Sequence, residues 1–190
     1  MSDKKSNKLS RRSFIEKSAI SAAGLTLVPS FKGFSANDTL NLGFIGMGRQ
    51  AMFLLNGFMG IEGVKVLAGS DVFGIKRQRF ENRVNDFYKE KGSSVNVKTY
   101  EKYQDVLARK DIDAVVIAVP DHWHALIAID ALRSGKDVYL EKPLTLTIRE
   151  GQMLAKAVRK FDKILAVGSQ QRSDPNFQHA IKLVQDGQLG

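Results

Sequence analysis

The chain has 190 residues, 43% apolar and 26% charged, enough for one globular domain and unlike a disordered, collagen-like or membrane-bundle composition. Its net charge of +9 is unevenly placed: residues 1–36 carry seven Lys/Arg against two Asp/Glu, and the remaining 22 Lys/Arg and 18 Asp/Glu form no basic block interleaved with aromatics, which argues against nucleic-acid binding. The absence of cysteine excludes disulfides, thiolate metal sites and cysteine nucleophiles.

Residues 1–9 are polar and basic, and Ala19–Val28 form an apolar run of about ten residues, roughly half of what a membrane-spanning helix needs. No stable membrane insertion is therefore expected. The run Ser10-Arg11-Arg12-Ser13-Phe14-Ile15 resembles the twin-arginine export motif, with Glu16 standing where that motif often has Lys. The resemblance implies a signal peptide over 1–36, a periplasmic or otherwise exported protein, and the twin-arginine export machinery as a partner. Small residues favour cleavage near Ser35 or Ala36, although Phe34 fits the small-x-small pattern poorly. The alternative is an ordinary amphipathic N-terminal helix.

From Leu40 onward short apolar runs alternate with longer amphipathic stretches, the pattern of β-α-β units around a parallel sheet. Strands are expected at 40–45, 64–70, 95–98, 114–119, 137–140 and 164–168. Helices are expected at 49–59, 74–90, 101–109, 122–134, 147–161 and 175–187. The run 114–119 is apolar throughout, as a strand buried on both faces requires. Six such units predict an α/β, doubly wound parallel sheet of the Rossmann type.

The first expected strand runs into Gly46-Met47-Gly48-Arg49-Gln50-Ala51, the G-x-G-x-x-A form of the dinucleotide fingerprint. Gly46 permits the tight turn, Gly48 admits close approach of a diphosphate, and Ala51 allows the helix to pack closely on the sheet. The helix start through Arg49 and Gln50 then directs amides and the positive end of its dipole at the phosphates. Asp71 follows the next expected strand, 25 positions after Gly46, where a carboxylate accepts hydrogen bonds from the adenosine ribose and repels a 2′-phosphate. This favours NAD, while Lys76, Arg77 and Arg79 close behind leave NADP possible. The competing reading of Asp71 is a turn or helix-capping residue.

The buried strand 114–119 delivers Pro120-Asp121-His122-Trp123-His124 to the carboxyl edge of the sheet, where open α/β folds place ligands. Asp121 is placed to cap the following helix. His122 and His124 are two apart and diverge on a helix, so a metal is not expected there; Pro120, Trp123 and His124 are read as lining a cofactor cleft. The next strand ends in Glu141-Lys142-Pro143.

The ordered set of glycine fingerprint, Asp71, P-x-x-x-H and E-K-P resembles the Gfo/Idh/MocA oxidoreductases over about Leu40 to Gly190. That resemblance implies NAD(P)-dependent hydride transfer at a sugar or cyclitol carbon. Lys142 would be catalytic, close to the nicotinamide and the substrate hydroxyl, where burial lowers a lysine pKa toward a working range. Read without the resemblance, Lys142 is equally a solvated strand-end lysine. Glu141 would contact the nicotinamide-side ribose, Pro143 would follow a cis peptide, His124 would form part of the cofactor wall, and Gln170 and Gln171 would border the nicotinamide. An exported enzyme closing around its cofactor before translocation implies a tightly held dinucleotide.

The organisation expected is a signal peptide at 1–36, a dinucleotide-binding domain at 37–169, and at 170–190 a connecting segment opening a truncated second domain. That second sheet domain would supply substrate contacts and a homo-oligomer interface, and a chain lacking it would bind dinucleotide weakly and turn over little. Two other functions fit the same residues: an NAD-dependent glycoside hydrolase using transient oxidation, and a noncatalytic dinucleotide-binding module.

Overall fold

Strand residues that alternate between two buried faces build a sheet with a core on each side, and this arrangement organises the molecule. A computed structural model describes residues 39–93 and 95–188. The signal peptide expected over 1–36, with the run that resembles the export motif, lies outside the described residues, as do Leu189 and Gly190.

Six strands, β1 (Leu40–Ile45), β2 (Val64–Ser70), β3 (Lys98–Tyr100), β4 (Ala114–Ile117), β5 (Asp137–Leu140) and β6 (Leu165–Val167), form one sheet in the order β3-β2-β1-β4-β5-β6. Every pairing is parallel. The order reverses between β1 and β4, which opens a crevice at the carboxyl ends of those two strands. On one face Leu42, Phe44, Ala114, Val116 and Tyr139 pack against α1 (Arg49–Met59) and α2 (Gly74–Glu90) through Leu55, Phe58, Phe80 and Val84. On the other, Ile45, Val115, Ile117, Val138 and Leu140 meet α3 (Tyr103–Leu107), α4 (His124–Arg133) and α5 (Ile148–Phe161). Each large side chain so buried contributes about 1.5–3 kcal/mol. A final helix, α6 (Pro175–Gln185), follows β6 through a 3-10 turn, Gln170–Ser173.

The third strand and the start of α4 differ from expectation, each for a local reason. The third strand forms at Lys98–Tyr100 instead of 95–98, because pairing with Ala68–Ser70 selects it, while Val97 turns into the core. A 3-10 turn, Asp121–Trp123, precedes α4. Asp121 lies within that turn and caps nothing: neither the turn nor α4 has a side-chain cap. Among the described helices, α5 and α6 have side-chain caps at their starts, and α1, α2 and α3 have none. Thr147 and Glu150 form a reciprocal capping box on α5, and Asp174 accepts from the Asn176 amide ahead of α6.

β2 carries one extra residue against β1, since Leu42 pairs with Val66 and Gly43 with Ala68. Beyond this bulge Ile45 pairs with Ser70, which sets Asp71 directly beside the turn that leaves β1.

Candidate functional site

At the reversal of strand order, β1 gives way to α1 through Gly46, Met47 and Gly48. Gly46 has φ +86°, and a Cβ there would run into the Ala118 carbonyl beyond β4, so glycine is demanded by backbone and neighbour alike. Its N–H donates to the Ser70 carbonyl at 2.8 Å. Gly48 differs: its φ is −72°, and a Cβ would meet nothing within 4 Å. Neither strain nor packing requires glycine at Gly48. A cradle that a Cβ would narrow, at the start of a helix without a side-chain cap, fits a diphosphate closing on backbone amides. Ala51 is fully buried under the sheet, as close helix packing requires.

Met47 anchors the turn. Its side chain is fully buried, in the space left by Gly69 of β2 and beside Phe80 of α2. Its N–H donates to Asp71 Oδ2 at 2.9 Å, and its carbonyl accepts from Arg79 Nη2 at 2.7 Å. Asp71 also accepts from the Phe73 amide through Oδ1 at 3.0 Å, so it holds its own turn as well as the glycine turn. The cations behind it are occupied with this loop. Arg77 donates to the Asp71 and Val72 carbonyls at 2.7 and 3.2 Å, and Lys76 Nζ lies 3.7 Å from Asp71 Oδ2.

Across the crevice, β5 is followed by buried Glu141 and exposed Lys142, and the Lys142–Pro143 bond is cis. Gln50 Nε2, on the first turn of α1, donates to Glu141 Oε1 at 2.9 Å and to Gln170 Oε1 at 3.1 Å. The Lys142 amide donates to Glu141 Oε2 at 3.1 Å. The Gln50 amide thus ties the glycine turn to Glu141 of the E-K-P segment and to Gln170 at the exit from β6. Burial, with the Glu141 carboxylate beside it, pushes the Tyr139 hydroxyl up to about 12. Gly168 leaves room for both, since a Cβ there would sit 2.8 Å from the Tyr139 hydroxyl and 3.0 Å from Glu141 Oε1.

His124 is 1% exposed and therefore does not line the cleft surface as a wall. Its Nδ1 lies 2.6 Å from the Pro143 carbonyl and its Nε2 2.9 Å from the Val119 carbonyl. The ring pins the E-K-P segment to the end of β4 and acts on the cleft through those two backbones. Pro120, His122 and Trp123 are exposed on the 3-10 turn at the carboxyl edge, and Gln171 is exposed beside Gln170.

Gly46, Gly48, Gln50, Asp71, Glu141 and Gln170 are thus joined to one another or through the glycine turn. Arg49 and Gln171 are exposed and stand outside that network. Sequence reading alone did not single out Tyr139, Gly168 or the Arg79 bond to Met47. A glycine at a strand exit was the available signal for Gly168, whereas Arg79 is visible only once α2 is folded back over the turn.

Comparison with known proteins agrees with this arrangement. Residues 40–169 match the Gfo/Idh/MocA family model, described as an oxidoreductase family with an NAD-binding Rossmann fold. A glycosyl hydrolase family 109 protein of Shewanella sp. (strain ANA-3) is 31% identical over 159 residues, 74% of this chain and 35% of that protein. Another, from Saccharopolyspora erythraea, is 27% identical and aligns with 99% of this chain and 45% of its own length. Among solved structures, myo-inositol 2-dehydrogenase from Lactobacillus plantarum is 28% identical with a TM-score of 0.67, covering 80% of this chain and 42% of that one. Scyllo-inositol dehydrogenase from Lactobacillus casei, with bound NAD(H) and scyllo-inositol, is 26% identical with a TM-score of 0.65 over 80% of this chain and 42% of that one. The chain spans less than half the length of each of these relatives. With the family model covering most of its length, the chain belongs to the Gfo/Idh/MocA oxidoreductase family and carries that family's NAD-binding Rossmann domain.

Proposed function

We propose that the chain is the cofactor-binding part of an NAD-dependent oxidoreductase that moves a hydride between a sugar or cyclitol carbinol carbon and nicotinamide. The observation that carries this reading is the open cradle over Gly48, flanked by Asp71 on one side and by Glu141 and Lys142 on the other. The amides at the start of α1 would hold the diphosphate, Asp71 the adenosine ribose, and Glu141, set by Gln50, the second ribose. Bound nicotinamide supplies the hydride acceptor or donor. Lys142, exposed at the carboxyl edge, would hold or deliver the proton of the reacting hydroxyl. Pro120, Trp123, Gln170 and Gln171 would border the ring, with His124 fixing the backbone behind it. Asp71 is held by two amides and would meet a 2′-phosphate at close range, so NAD is preferred over NADP.

Calorimetric titration tests the reading. NAD is expected to bind weakly, NADP at least tenfold more weakly still, and Asp71→Asn to narrow that difference. Equal affinities for the two cofactors in the native protein would sink it. By itself the chain is expected to turn over little; full-rate oxidation of an added sugar or cyclitol would contradict this.

A second reading, an NAD-dependent glycoside hydrolase using transient oxidation, is favoured by the names of the Shewanella and Saccharopolyspora relatives. Assayed in the complete gene product, net NADH release supports the oxidoreductase, and glycoside cleavage without net NADH change supports the hydrolase. Retained NAD with neither activity would point to a noncatalytic module. The twin-arginine-like leader is the basis for proposing export in a folded state. Replacing Arg11 and Arg12 with Lys is expected to leave the protein in the cytoplasmic fraction; unchanged export would refute that route.

A further inference from the structure

The Met47 peptide groups sit between two glycines, where backbone rotation meets little steric resistance, yet the turn has to present its amides in one orientation. Three contacts restrain it. The side chain is buried in the space that Gly69 leaves, Asp71 Oδ2 takes the Met47 N–H at 2.9 Å, and Arg79 Nη2 donates to the Met47 carbonyl at 2.7 Å. The first of these amides, the Met47 N–H, is taken up by Asp71. The second peptide, Met47–Gly48, is trans, so its carbonyl and the Gly48 N–H point in opposite directions.

Resting on the NAD-binding reading, we propose that Arg79 is a positioning residue for the diphosphate cradle: by drawing the Met47 carbonyl toward α2, it aims the Gly48 N–H at the dinucleotide. With that hold released, the peptide is free to rotate and bring the Met47 carbonyl, a partial negative charge, toward the phosphates. Arg79 touches neither cofactor nor substrate in this role. It acts through one peptide plane, from a helix that begins three residues beyond Asp71. The same arrangement accounts for Gly69 in the middle of a buried strand stretch, because any side chain there would displace the Met47 thioether and loosen the turn.

The test is calorimetric binding of NAD, ADP and adenosine to the full chain and its Arg79→Met and Arg79→Lys variants. Arg79→Met is expected to weaken NAD and ADP roughly tenfold, the scale of one charge-assisted hydrogen bond. Adenosine, which lacks phosphate, should change by less than about twofold, and Arg79→Lys should recover most of the loss because it still donates to the carbonyl. The deficit should persist in about 0.5 M salt, where through-space attraction of an exposed guanidinium is screened. Unchanged NAD binding in Arg79→Met overturns the proposal. So does a deficit that vanishes in salt, which would mark a simple charge effect, or an equal loss of adenosine, which would mark a structural one. A native chain that takes up neither NAD nor ADP overturns the cofactor reading and this proposal with it, whereas native binding with an unaltered Arg79→Met variant overturns this proposal alone.

Discussion

Gly46 and Gly48 stand two residues apart in the same turn and answer to different demands. At Gly46 a left-handed φ and the Ala118 carbonyl exclude a side chain, so Gly46→Ala is expected to destabilise the fold by roughly 1–3 kcal/mol. At Gly48 a methyl group meets no protein atom, so Gly48→Ala should shift stability by less than about 1 kcal/mol, yet reduce NAD affinity at least tenfold. Thermal melts and titration of the two variants separate these outcomes; a large stability loss in Gly48→Ala would contradict the assignment. Tyr139 offers a pH test. Its folded-state pKa, near 12, lies above the value of about 10 in an unfolded chain. Its contribution to stability is therefore present below about pH 10 and lost as pH rises toward 12. Urea midpoints should fall across that window, and Tyr139→Phe should make the fall shallower. Identical slopes would refute the linkage.

Helices and strands were legible wherever their period was long and clean. The spans of β1, β2, α1 and α2 follow from hydrophobic pattern alone, and the buried run of β4 announces a strand covered on both faces. Boundaries set by a partner were not legible: β3 is placed by its pairing with β2, and Val95 and Val97, which look strand-like, serve the core instead. The helix starts yield an internal control. Thr147→Ala removes the capping box of α5 and should cost about 1 kcal/mol of stability while leaving NAD affinity within twofold. A strong binding defect in that variant would mean that the start of α5 belongs to the site. His124 lies at the opposite extreme, joining the start of α4 to the end of β4 and the E-K-P segment. His124→Leu keeps comparable bulk but removes the ring's polar contacts with the part-buried Val119 and Pro143 carbonyls, and denaturant unfolding should register a loss of about 1–3 kcal/mol.

For the molecule as a whole, the alternation of elements already specified a doubly wound sheet, and the glycine turn marked which crevice it would use. Short-range spacing sufficed for this, because strand and helix periods, a tight turn and an acidic residue one crossover later are all local features of the chain. The order β3-β2-β1-β4-β5-β6 and the opposition of Asp71 to Glu141 across the crevice are not local, and they depend on which strands pair. Folding also decided the jobs of particular side chains. His124 became a buried brace, Gln50 turned sideways to Glu141 and Gln170, and Arg79 reached over to a carbonyl 32 positions earlier. A sequence displays which residues can donate or accept hydrogen bonds; only packing fixes which donor meets which acceptor, since each such bond joins groups that chain connectivity leaves far apart.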